Sequence, residues 1–142
     1  MITVPESFSI ALHALLQLAD KPGVYLSGKH IAETCQFSQH HLAKVLASLV
    51  RAGLLESQRG PSGGVCFTRA PKDITLAMIS EAVEGREAPR KGCLLPHEVC
   101  PGKRCVVGCF LDTMEAEFRR VFANTTLADI LRSTQQTPKK RK

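Results

Sequence analysis

Four of the six cysteines in this 142-residue chain fall within seventeen positions, as Cys93, Cys100, Cys105 and Cys109, separated by six, four and three residues. His97 lies between the first two. Thiolates are soft ligands that suit zinc and iron–sulfur clusters, and such a concentration of them is not core filler. Structural zinc sites are usually built on Cys-x2-Cys knuckles, and this segment contains none. An iron–sulfur cluster is wider and tolerates looser spacing. From the residues alone three chemistries stay open: a cluster, a zinc site, and reversible thiol switching. Cys35 and Cys66 stand apart in sequence and read as structural residues.

The elements that position this segment are mostly helices. Phe8, Ala11, Leu12, Leu15, Leu16 and Ala19 repeat at helical spacing, and Lys21-Pro22-Gly23 ends the run. Ser27 can cap a short helix over Gly28–Cys35, with Ile31 and Ala32 facing inward. Ser38 can cap another, striped by Leu42, Val45, Leu46, Leu49 and Val50 and stopped by Gly53. Two short helices joined by a three-residue turn form a helix-turn-helix pattern. The second helix opens with polar Gln39, His40 and His41, which are candidates for base edges, and Lys44 is a candidate phosphate contact.

A hairpin follows, with strands at Leu54–Ser57 and Val65–Thr68 flanking Gln58-Arg59-Gly60-Pro61-Ser62-Gly63-Gly64. Such a turn can approach another surface closely, and Arg59 on a slim projection suits a narrow groove. Ser38, Gln39, His40, His41 and Lys44 of the helix, with Arg59, Gly60, Gly63 and Gly64 of the wing, are the candidate DNA contacts. The fold class expected is mainly α with a small β-hairpin wing: a winged helix-turn-helix plus a long C-terminal dimerisation helix.

Charge alone proves less. The formal net charge is +6, yet residues 1–70 contribute +2, residues 71–136 are neutral, and the tail 137–142 supplies +4. A basic tail of this kind reads as a solvated end. Aromatic residues make up only 5% of the chain, with no tryptophan, which argues against a stacking platform for single-stranded nucleic acid. No run of eighteen apolar residues occurs, and the N-terminal residues lack the pattern of a secretory signal, so a cytoplasmic protein is expected. No spacing suggests a nucleophile paired with a base, so an enzyme is not expected.

Four segments emerge: a DNA-binding domain at 1–85, a cysteine-rich loop at 86–108, a helical region at 109–132 and a basic tail at 133–142. The first ends with a helix over Thr75–Val83. Seven of the twenty-four residues from Gly85 to Gly108 are proline or glycine. The third carries Leu111, Met114, Phe118, Val121 and Phe122 on one stripe, and Leu127–Leu131 suggests a last short turn. A stripe outside the winged core needs a surface to cover it, and a second copy of the chain is the natural one.

Together these residues resemble the IscR/NsrR-type family of bacterial winged-helix regulators. The resemblance rests on Ser27–Ala32, the Ser38–Gly53 helix, and Leu54-Leu55-x-Ser-x-Arg59-Gly-Pro-x-Gly63-Gly64. It continues through Ile74-Thr-Leu-Ala77, Glu81-Ala-Val-Glu-Gly85, the three cysteines 93, 100 and 105, and Thr126-Leu-Ala-Asp129, so it spans about residues 7–131. It implies a homodimeric transcription factor, most often a repressor, that binds a double-stranded operator. The helix near 110–124 would dimerise it. In many such members three loop cysteines hold a [2Fe–2S] or [4Fe–4S] cluster that senses iron–sulfur status, nitric oxide or redox state, whereas others keep the fold without a cluster.

Some details depart from that pattern. The cysteine spacings are less even than in the best-known members. Gly108 stands where some members place a histidine ligand, and Ser9 where others supply a carboxylate from the partner's first helix. Cys109 is the first candidate for the fourth ligand, ahead of His97 and Glu6. The resemblance implies that cluster assembly or loss reorders the 86–108 loop and changes the spacing of the two recognition helices.

Overall fold

A computed structural model describes residues 4–85 and 105–136. Helix α1 (Glu6–Ala19) buries Phe8, Ile10, Ala11, Ala14, Leu15 and Leu18, a wider apolar face than one stripe, because neighbours pack on both flanks. The short α2 (Gly28–Cys35) starts as its sequence demands: the Ser27 hydroxyl accepts the backbone N–H of His30 at 3.2 Å. Gln36 ends it in the left-handed region at φ 58°, and the chain turns directly into α3 (Gln39–Arg51). Ser38 occupies the cap position of α3, but its side chain makes no capping bond. Leu42, Val45, Leu46 and Leu49 anchor α3 in the core.

The hairpin follows, with β1 (Leu55–Gln58) and β2 (Gly64–Phe67) antiparallel and Glu56 opposite Cys66. Each strand is displaced by one residue toward the turn's Gln58 or Gly64 relative to the sequence pattern. A third backbone segment fixes the base of the wing: Leu26 and Val65 exchange both backbone hydrogen bonds, at 2.9 and 3.0 Å. This contact explains Gly64. Its φ is +152°, and a Cβ there would lie 2.2 Å from the Leu26 carbonyl oxygen. Gly63 is equally confined, since a Cβ would meet the Gln58 carbonyl oxygen at 2.2 Å. Both glycines therefore serve close approach within the chain itself.

After a single 3-10 turn at Pro71–Asp73 come α4 (Leu76–Glu84), then α5 (Val106–Asn124) and α6 (Leu127–Gln136). Two stretches of like sequence, Ile74-Thr75-Leu76-Ala77 and Thr125-Thr126-Leu127-Ala128, meet here as a pair. The Leu76 N–H donates to the Thr125 carbonyl at 3.0 Å, and the Leu127 N–H donates to the Ile74 carbonyl at 2.8 Å. Each threonine caps its own helix, Thr75 accepting from Met78 N–H and Thr126 from Asp129 N–H, both at 3.2 Å. Each leucine is buried. At α6 the box is reciprocal, because the Asp129 carboxylate accepts the Thr126 N–H at 2.9 Å and its hydroxyl at 2.6 Å. Phe8 of α1 and Phe122 of α5 add a ring contact at 5.2 Å.

Two expectations are corrected here. The loop assigned to 86–108 ends earlier, since α5 begins at Val106 with Cys105 as its cap. Gly108 counted toward an irregular segment in the sequence, yet it is the buried residue of α5. The last short turn at Leu127–Leu131 is a ten-residue helix.

Replacing Gly64 by alanine should cost about 3 kcal/mol, because backbone strain and a backbone clash coincide. Gly53→Ala, at φ +71° with nothing within 4 Å, should cost only about 1 kcal/mol. Urea denaturation of both variants measures the contrast, and equal losses would contradict the close-approach account. The Asp129 carboxyl is held below its ordinary value of 3.8, first by the Thr126 hydroxyl. Its contribution to stability is therefore present above about that pH and lost as pH falls through the lowered value. Asp129→Asn should flatten the acid limb of the stability–pH curve, which thermal melts between pH 2 and 5 would record.

Candidate functional site

The exposed arc of α3 carries Gln39, His40, Ala43, Lys44, Ala47 and Arg51, opposite the core leucines. Gln39, His40 and Lys44 thus face solvent together, within two turns of the helix start. His41 does not join them. It is half-buried, and its Nδ1 lies 3.8 Å from Oε1 of Glu6, the first residue of α1. Ser38 is exposed at the entry to the helix. The projecting wing presents Arg59 and Gly60 at its exposed tip, while Gly63 and Gly64 are half-buried in the turn's base. Of the nine candidate contacts, the structure gathers Ser38, Gln39, His40, Lys44, Arg59 and Gly60 on exposed surface. It assigns His41, Gly63 and Gly64 contacts within the chain.

Two further cations border the same surface, and the sequence pattern did not single them out. A groove of about 540 Å³ separates α3 from the root of the wing, lined by Lys29 of α2, Ala43, Ala47 and Arg51 of α3, and Ser57 and Val65 of the hairpin. Helical spacing offers a signal in retrospect, since Arg51 lies seven residues, two helical turns, after Lys44 on the same face. Strand alternation turns Ser57 toward the groove and Glu56 to the opposite face. There Glu56 accepts the Tyr25 hydroxyl at 2.6 Å, a bond that raises the phenol above its ordinary value. Cys66, opposite Glu56, is buried, although it alternates with the buried Val65. The half-buried Cys35 thiol ends α2 and is pushed up by burial.

Away from α3 in sequence, Cys105 and Cys109 mark the start of α5. The Cys109 N–H donates to the Cys105 carbonyl at 2.9 Å, closing the first turn. Both thiols are free; Cys105 is half-buried and Cys109 exposed. A spacing of four puts them on one face of the helix. Cys93, His97 and Cys100 lie outside the described residues, as does the tail 137–142. Among the described residues no three histidine, cysteine or acidic side chains converge as a metal site. Glu6, engaged with His41 on α3, and the half-buried Ser9 belong to α1.

The exposed face of α5 is apolar over much of its length. Val106, Val107, Phe110, Leu111, Phe118 and Val121 all stand open, with Phe110 60% exposed. Phe118 stacks on Phe122 at 4.0 Å and so continues the core outward. No helix among the described residues is long and apolar enough to cross a membrane.

Known proteins share this arrangement. A model of the Rrf2 family, described as an iron-dependent transcriptional regulator, matches residues 4–133. The chain is 48% identical over 71 residues to the helix-turn-helix regulator BadM of Rhodopseudomonas palustris, a match spanning 50% of this chain and 46% of that protein. It is 32% identical over 129 residues to NsrR of Halalkalibacterium halodurans, covering 85% of this chain and 84% of the relative. The fold is similar to that of CymR, the global cysteine regulator of B. subtilis, with a TM-score of 0.76 at 28% identity over 94% of this chain and 98% of the other. T. potens IscR gives the same TM-score at 26% identity, covering 97% and 93%. These relatives are regulators of transcription and not enzymes. The helix-turn-helix, its two-stranded wing and a family match over nearly the whole chain establish that this protein belongs to the Rrf2 family of DNA-binding transcriptional regulators.

Proposed function

We propose that the protein is a homodimeric repressor whose operator binding is governed by an iron–sulfur centre. Cys93, Cys100 and Cys105 would hold it, with Cys109 as the fourth ligand. One observation carries the reading: two free thiols share a face at the start of the helix that also bears the open apolar stripe. Their donor chemistry fits the group, since reachable soft thiolates on one helical turn can ligate iron. The family's description as iron-dependent points the same way. Such a group supplies one-electron redox chemistry and a reactive target for nitric oxide.

The chain's own residues would do the rest. Val107, Phe110, Met114 and Val121 lie roughly on the side of α5 away from Cys109, so the stripe can pair with a second copy while the thiols stay clear of the seam. Gln39 and His40 would read base edges, Lys44 would meet a phosphate, and Arg59 would enter the neighbouring minor groove. A second reading keeps the DNA-binding surface and replaces the centre with zinc or a thiol switch. The likeness to CymR, named as a cysteine regulator, favours keeping it in view.

Protein purified without oxygen should be coloured and contain iron and sulfide, and Cys105→Ser should lose both. Colourless protein after reconstitution would overturn the cluster reading, and stoichiometric zinc would support the second one. Arg59→Ala should weaken operator binding by about tenfold or more while leaving the dimer and its iron content unchanged. An unaltered footprint would remove Arg59 from the interface.

A further inference from the structure

The groove between α3 and the wing is bordered by Gln39, and the rest of its lining has chemistry that base reading leaves unused. It is lined by apolar Leu46, Ala43, Ala47 and Val65 together with Lys29 and Arg51. Among the described residues no carboxylate lines it. The nearest acid on β1, Glu56, is turned to the other face and engaged by Tyr25. Among the described residues Lys29 has only an exposed 3.9 Å pairing with Glu33. Arg51 gives an Nη2 hydrogen bond to the Ser48 hydroxyl at 2.8 Å, a neutral partner, and pairs with no carboxylate among the described residues. Small side chains at exposed Ala43 and Ala47 keep the channel open where a long polar residue would close it.

Geometry restricts what can lie there. If α3 enters the major groove and the wing enters the adjacent minor groove, one sugar–phosphate strand must pass between them, because a single strand separates neighbouring grooves. The space between α3 and the wing is this channel. We propose that it is a seat for one strand of the operator backbone, with Lys29 and Arg51 as phosphate ligands and the alanines packed beneath the deoxyribose. The inference rests on the reading of α3 and the wing as the DNA face, and it adds two cations that line the channel to that face. These contacts fix register and supply affinity without reading sequence.

The test uses the full chain and a duplex selected from a random library by the protein itself. Affinity is measured against salt concentration for the wild type, Lys29→Ala, Lys29→Arg and Arg51→Ala. Each alanine variant removes one phosphate contact from each protomer, so for the dimer it should lower the log–log salt slope by about 1.8 and leave the selected sequence unchanged. Lys29→Arg should restore the slope. Uncharged methylphosphonates placed in the strand between the two grooves should weaken the wild type several-fold and the double alanine variant little. Unchanged slopes, or methylphosphonate sensitivity confined to other positions, would overturn the proposal. Gln39→Ala and Arg59→Ala separate the two levels of the argument. If those variants also bind normally, the DNA face itself is misassigned; if they lose binding while the salt slopes hold, only the backbone seat fails.

Discussion

The pairing of Ile74-Thr75-Leu76 with Thr125-Thr126-Leu127 is the constraint on which the rest of the molecule depends. It is small: two backbone hydrogen bonds, two threonine caps and two buried leucines. Its position gives it leverage. The chain leaves the winged unit at the end of α4, passes through the cysteine segment, and returns along α5 to the beginning of α4. The pairing ties that return point to the helix-turn-helix core, and Phe8 against Phe122 reinforces it. A helix of nineteen residues is about 28 Å long, far longer than the nine-residue α4 it packs against. The C-terminal end of α5 is thus anchored to the core, and Cys105 and Cys109 lie at the opposite end of the helix.

A second constraint governs the DNA side. The backbone ladder between Leu26 and Val65 sets the wing against the segment that leads into α2, so the wing cannot swing independently of the helix-turn-helix. Gly64 allows the two backbones to meet. The spacing between the recognition helix and Arg59 follows from this contact, and the groove between them is its by-product. Polarity is sorted by strand alternation alone, with Ser57 toward the groove and Glu56 away from it. The proposed backbone seat thus combines a strongly hydrogen-bonded acid turned aside with lightly partnered cations.

The helices were legible in the sequence wherever apolar residues repeated at helical spacing. The stripe of α3 and the Ser27-capped α2 are examples. What sequence could not show lay in contacts between distant segments. Gly63 and Gly64 were expected beside DNA; the structure adds that they accommodate the chain's own carbonyls at Gln58 and Leu26. His41 adjoins His40 in sequence, and a step of one residue carries it about 100° round the helix, where its ring lies near Glu6. Gly108 looked like a loop residue, and its burial in α5 depends on packing that no local pattern reveals. Lys29 and Arg51 are unremarkable one at a time; they acquire meaning when α2, α3 and β1 enclose one groove.

The central claim is that the state of the cysteine segment changes how tightly the dimer holds its operator. Anisotropy titration of one labelled operator with anaerobically purified protein, before and after removal of its iron by chelation, measures this coupling directly. The account predicts binding curves displaced by about five- to 150-fold, the span of ordinary allosteric coupling. Superimposable curves, from samples shown to differ in iron content, would contradict it.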